Sequence, residues 1–459
     1  MGKVLGTWLP ENADFWHREG HQVARRNLVV SVLCLFLAFA VWMIWSVLVV
    51  YLPEVGFHFT MQQLFWLVAA PSLSGATLRI VYSFMVPIVG GRRWTAFSTA
   101  LLLVPALGTG WAVTNPHTPY GLFLALAVLC GLGGANFSSS MANVSLFYPR
   151  AEKGSALGLN AGIGNLGVSA VQFIVPIVIS FALFGVLGGA PEAMDTARGV
   201  QPVWLQNAGF IWVAPLLACT VLAWFCMNDI ASIRASFTQQ LVVFKRLHTW
   251  VLCLLYLGVF GSFIGFSAVF PLLTHTQFPT VNAVKYAFLG PLLGSLWRVA
   301  GGWLADRLKG SRVLIGSFAA MAVAIGGVLH FMPHAGHGGS FAGFFAMFML
   351  LFTASGIGNG ACSQMMPVVF LRACLNKAPN GEEGRKAALI EGTREGATVL
   401  GFTGAIGAYG GFLLPQGFSF SLAHAHSAAP AFAGLIALYG ACMVITWFFY
   451  QRSATTTPC

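Results

Sequence analysis

Twelve apolar stretches, each about 20 residues or longer, follow one another through the chain and leave little of it for anything else. They run roughly over 28–52, 64–89, 94–113, 119–147, 155–187, 209–227, 249–273, 284–305, 313–332, 341–371, 395–422 and 428–450. A helix of that length crosses the hydrocarbon of a bilayer. Only 8% of the 459 residues are charged, against about 25% in a soluble domain. The expected fold class is an all-α polytopic membrane protein with twelve transmembrane helices. No cleavable signal peptide is expected, because the first 27 residues are polar and lack an apolar run with a cleavage site.

The net charge of +11 is distributed by side. With the N-terminus inside, 20 of the 24 Lys and Arg fall in inner segments and only Arg198 and Lys285 in outer ones. This bias puts both termini in the cytoplasm and makes the lipid bilayer, not nucleic acid, the expected partner. The nine cysteines are scattered without a C-x-x-C pair, so neither a disulfide framework nor a metal site is expected.

The remaining two cations, Arg79 and Arg298, lie well inside apolar stretches. An arginine at the centre of a spanning helix costs roughly 2.5–3.5 kcal/mol on insertion scales. Each lies about 20 Å of helix from the loop arginine of its own half, so snorkelling is hard, and no Asp or Glu lies deep in any span. A structural arginine bonded to backbone carbonyls is one reading. A bound anion is the other, and the guanidinium fork suits a planar oxyanion. The two arginines also mark a duplication. A shift of 219 residues lays Arg79 on Arg298, Gly91 on Gly310 and Arg93 on Arg312. The expected domains are a cytoplasmic N-terminal segment (1–27), either amphipathic on the membrane surface or partly ordered. A six-helix bundle (28–228), a cytoplasmic linker (229–248), a second six-helix bundle (249–451) and a cytoplasmic tail (452–459) follow. Two parallel six-helix halves joined by an inner linker are the plan of the major facilitator fold.

Glycines recur in the fifth and eleventh spans. Gly158, Gly162, Gly164 and Gly167 form one run; Gly401, Gly404, Gly407, Gly410 and Gly411 form the other, with a match at a shift of 243. Such faces let helices touch backbone to backbone, as static packing or as a sliding surface. Asn165 in the first run places an amide inside the membrane, able to turn toward a ligand. Tyr256 is a midspan phenol that needs a partner. The segment Gly302-Trp-Leu-Ala-Asp306-Arg307-Leu-Lys-Gly310-Ser-Arg312 is similar to the major facilitator loop signature, in which Asp306, Arg307 and Arg312 would hold the cytoplasmic gate. In the first half Pro87 stands where Asp306 does, so that copy is degenerate.

The blocks LSGATLRIVYSFMVPIVGGRRW, GLGGANFSSSMANVS, LGLNAGIGNLGVS, LLYLGVFGSFIGFS and GFTGAIGAYGGFLLPQGF together resemble the nitrate/nitrite porter family, over nearly the whole chain. The resemblance implies that Arg79 and Arg298 clamp the anion. It further implies that Phe137 and Phe260 sandwich the flat ion, that Tyr256 and Asn165 donate hydrogen bonds, and that the glycine runs carry the movement between states.

No Asp, Glu or His stands deep in a span, which disfavours proton coupling through a side chain. Driving a lone anion into a negative interior costs about 2.3 kcal/mol per 100 mV, and exchange of one monovalent anion for another avoids it. The expected activity is nitrate/nitrite antiport by alternating access in a bacterial cytoplasmic membrane, with proton-coupled nitrate symport as the alternative. No cofactor, no metal and no catalytic residue is expected, and the monomer is expected to suffice.

Overall fold

The computed structural model describes residues 4–196, 199–231, 241–333, 338–377 and 381–452. Residues 232–240 of the expected linker, with Arg234, lie outside them, as do Arg198 and the expected tail beyond Arg452.

Twelve long helices account for the fold among the described residues. They are α1 (Ala13–Tyr51), α2 (Met61–Val89), α3 (Gly91–Ala112), α4 (Tyr120–Phe147), α5 (Arg150–Val178), α6 (Asn207–Cys226), α7 (Leu247–Gln277), α8 (Leu289–Leu308), α9 (Gly310–Phe331), α10 (Phe341–Leu375), α11 (Glu382–Ala425) and α12 (Ala429–Gln451). Eleven are long and apolar enough to cross a membrane. The other, α8, has 20 residues but carries Arg298, Asp306 and Arg307. The all-α, twelve-span arrangement expected from the sequence is the one the chain adopts. Four short strands complete it: β1 (Val4–Leu5) pairs in parallel with β4 (Asp229–Ile230), and β2 (Glu192–Thr196) forms an antiparallel hairpin with β3 (Gly199–Val203).

Two helices begin earlier than their apolar stretches. α1 starts at Ala13, where the Asn12 side chain accepts from the Phe15 amide and ends the strand-like entry. Its polar first turns and the segment before them lie on protein: Trp8, ahead of the helix, and Trp16, within it, pack with Val144, Phe147, Tyr148 and Ala156. Trp8 Nε1 donates to the Leu146 carbonyl at 3.1 Å and Trp16 Nε1 to Glu152 at 2.9 Å. α11 starts at Glu382 and is interrupted at Tyr409, just past the Gly401–Gly407 run. α2 is set by a capping box in which Thr60 and Gln63 satisfy each other's backbone amides.

By compactness the chain divides into two units, Met1–Arg234 with Ser267–Pro291, and Ala235–Phe266 with Leu292–Cys459. Each is built on a glycine crossing one helical turn before its arginine. In the first unit α2 crosses α4 so closely that a Cβ on Gly75 would stand 3.0 Å from the Gly131 carbonyl oxygen. In the second, α8 crosses α10, and a Cβ on Gly356 would stand 2.9 Å from Gly294 Cα. Arg79 follows Gly75 by four residues and Arg298 follows Gly294 by four, so each guanidinium springs from the turn next to its crossing.

Candidate anion-binding site

In the first unit the crossing brings Arg79 against α4. Its side chain is fully buried. Nε donates to the Gly134 carbonyl at 2.9 Å, and the guanidinium carbon lies 4.7 Å from the Phe137 ring centroid and 5.3 Å from that of Trp42. Cation–π contacts of this kind strengthen when water is excluded. Trp42 is fixed by its own Nε1, which donates to the Pro71 carbonyl at 2.9 Å. Phe137 stacks on Phe39 at 6.1 Å. The arginine is thus oriented by a carbonyl and two ring faces.

In the second unit Arg298 is held by a phenol. Nη2 donates to the Tyr256 hydroxyl at 3.3 Å, while Nη1 is buried with no hydrogen-bond partner in the protein. Tyr256 and Phe260 stack at 5.1 Å with 22° between their planes. A π-helical turn over Leu257–Gly261 follows Tyr256, a local irregularity often found at functional sites. Gly407 of α11 makes room for both rings, since a Cβ there would meet Tyr256 Cδ1 at 2.7 Å and Phe260 Cδ1 at 3.0 Å.

Asn165 lies on α5, 1% exposed, and neither its Oδ1 nor its Nδ2 has a protein partner. An orphaned buried amide costs about 1–3 kcal/mol for each unmade bond, so the position invites a ligand. Its neighbour in sequence, Asn160, differs: it bonds Ser140 at 2.9 Å. The structure therefore groups Arg79 with Phe137, and Arg298 with Tyr256 and Phe260. The Asn165 amide makes no hydrogen bond to either group among the described residues.

The glycine runs do not act uniformly. A Cβ on Gly167 would run into the Phe36 carbonyl and one on Gly410 into the Gly261 backbone, so these are close helix crossings. Gly164 abuts the Leu35 side chain. Gly158 and Gly401 have nothing within 4 Å of an added Cβ. Gly162, Gly404 and Gly411 are buried.

At the loop signature, Asp306 accepts from the Gln364 amide of α10, and the Arg307 guanidinium lies 4.0 Å from the Trp303 ring. Arg312, at the start of α9, donates its backbone amide to the Lys309 carbonyl at 3.2 Å. The arginines of the degenerate first copy are paired with an acid from elsewhere, Asp229 beyond α6. Its Oδ2 lies 3.2 Å from Arg92 Nε and 3.7 Å from Arg93 Nε, and Oδ1 accepts the Arg92 amide at 2.9 Å. The turn admits it because Gly90 has φ +101° and no side chain: a Cβ there would stand 2.8 Å from the Asp229 carboxyl carbon. A second ion pair joins Arg246 to Glu395 at 2.8 Å, with the Glu395 side chain 4% exposed. Neither pair follows from local sequence, since the partners are 137 and 149 residues apart.

Residues 32–415 match the sequence profile of the Major Facilitator Superfamily. The chain is 48% identical over 451 residues to the nitrate/nitrite transporter NarU of Escherichia coli K12, covering 98% of this chain and 96% of that one. It is 40% identical over 468 residues to the probable nitrate/nitrite antiporter NarK2 of Thermus thermophilus, covering 100% and 99%. Among solved structures, the D-xylose–proton symporter superposes with a TM-score of 0.64 at 16% identity, over 93% of this chain and 97% of that one, a likeness of fold alone. With a twelve-helix fold and matches of this extent, the chain belongs to the nitrate/nitrite porter family of the major facilitator superfamily.

Proposed function

We propose that the protein is a secondary transporter that exchanges nitrate for nitrite across the bacterial cytoplasmic membrane, holding the anion with both Arg79 and Arg298. The observation that carries the proposal is the state of Arg298. It is buried, one terminal nitrogen is turned to Tyr256, and the other has no acceptor in the protein. A planar monoanion supplies that acceptor, and the names of the relatives supply its class.

The mechanism follows from charge. Each arginine is fixed in orientation before substrate arrives, Arg79 by Gly134 and Phe137, Arg298 by Tyr256. Binding therefore costs little side-chain ordering. Phe137 and Phe260 give the weakly hydrated, flat ion aromatic walls. Asn165 donates its free Nδ2 hydrogens. With the site empty, two like charges oppose closure around it; with one anion bound, they are bridged and the site can turn from one side of the membrane to the other. Trading one monovalent anion for another moves no net charge and escapes the ~2.3 kcal/mol per 100 mV that a lone anion would meet.

The test is nitrate uptake into nitrite-loaded proteoliposomes by the wild type and by Arg79→Lys and Arg298→Lys. A lysine keeps the charge but loses the planar fork. Uptake should vanish in both variants while the proteins remain folded; uptake near the wild-type rate in either one removes that arginine from the site.

A further inference from the structure

Inside the first unit, α1, α3 and α4 line a small cleft in which hydroxyl and amide groups stand beside Cys34 and Leu35, although the helices span a membrane. α3 contributes Thr95 and Thr99, one turn apart, α4 contributes Asn136 and Ser140, and Ser31 closes the space from α1. Ser31 is 1% exposed, Thr99 0% and Asn136 5%. Ser31 Oγ and Asn136 Oδ1 make no hydrogen bond to protein, and Thr99 Oγ1 has no oxygen or nitrogen partner there, only the Cys34 thiol beside it. The cavity is not polar by neglect, because Ser140 on the same wall is paired with Asn160. Buried polar atoms left short of partners are costly, and three around one space call for a common one.

The space fixes what that partner is. It leaves about 10 Å³ for the centre of a water-sized sphere, room for one water and too little for an organic molecule or a hydrated ion. Two hydroxyls and an amide oxygen supply three partners, within the two to four that a buried water uses.

We propose that this cavity holds one structural water bonded to Ser31, Thr99 and Asn136. The water donates to Asn136 Oδ1 and to one hydroxyl and accepts from the other. Its place gives it a task. The same turn of α4 offers the Gly134 carbonyl to Arg79 and the Phe137 ring to its guanidinium. The water fastens that turn from behind, to α1 and α3, so that the wall behind Arg79 is held on both faces. This does not depend on which anion is carried.

The test compares Thr99→Val, which matches the shape and removes the hydroxyl, with Thr99→Ser, which keeps it. With a bound water, Val strands the water's bond and lowers the melting temperature by about 1–2 °C, and Ser lowers it less. In a dry cavity, Val replaces a hydroxyl lacking an oxygen or nitrogen partner by a methyl, and the melting temperature stays or rises. That result, or an equal fall for Val and Ser, overturns the proposal. A density map of the wild-type protein that resolves other buried waters should show one here; an empty cavity in such a map overturns it independently of either variant.

Discussion

Arg298 donates from Nη2 to the Tyr256 hydroxyl at 3.3 Å and keeps its Nη1 without a protein acceptor. The phenol sets the direction of the fork, and under the proposed function the anion is its missing acceptor. Tyr256→Phe keeps the stack on Phe260 and removes only the hydroxyl. A hydrogen bond to a charged group is worth about 1.5–3 kcal/mol, so nitrate binding should weaken tenfold or more with little change in melting temperature. Calorimetric titration of the purified protein checks this, and an unchanged affinity would mean that Tyr256 only packs.

Asn165 predicts opposite signs for stability and function. Both polar atoms of its amide are buried and have no hydrogen-bond partner in the protein. Asn165→Leu removes an orphaned amide at similar size, so the melting temperature should hold or rise, by up to about 1–3 kcal/mol of stability. Nitrate uptake should fall by at least about tenfold, the worth of one lost charge-assisted bond. A variant that melts lower and transports normally would assign Asn165 to structure.

The glycine runs separate by position. Gly158→Ala meets open space and should be neutral or stabilising, since glycine costs a helix about 0.5–1 kcal/mol relative to alanine. Gly167→Ala would press on the Phe36 carbonyl and Gly410→Ala on the Gly261 backbone. Overpacking of this sort costs about 1–3 kcal/mol and should lower both melting temperature and uptake. Thermal melts of the three variants check the order, and a Gly158→Ala loss equal to that of Gly167→Ala would refute it.

The β2–β3 hairpin carries a pH dependence. Burial raises the Glu192 carboxyl from 4.5 to about 7. A carboxyl raised in the folded state binds its proton more tightly there than in the unfolded chain. Its contribution is therefore full below pH 4.5 and is lost as pH rises to about 7. Amide exchange of β2 and β3 should quicken, beyond its intrinsic pH dependence, over that interval, and Glu192→Gln should remove the excess.

Much of this was legible before the structure. The twelve spans, the duplication and the intramembrane arginines follow from apolar length and from charge in the wrong place, signals that survive any detail of packing. The contact of Arg79 with Phe137 was not legible, because the runs LRIVY and GGANF meet only at the α2–α4 crossing. What escaped were contacts made by distant polar residues. Pro87 read as a lost acid, yet Asp229 reaches Arg92 and Arg93 from beyond α6 because Gly90 leaves it room. Polar first turns hid the true starts of α1 and α11, since apolar length does not register them. The different fates of Gly158 and Gly167 are equally invisible in sequence, where both are one letter in one repeat.

The most direct measurement is nitrate uptake into proteoliposomes loaded with nitrite or with an impermeant buffer alone, with and without an inward proton gradient. The account predicts uptake only with internal nitrite, at a rate indifferent to the proton gradient. Uptake into nitrite-free vesicles that rises with the gradient would contradict exchange and establish proton-coupled symport.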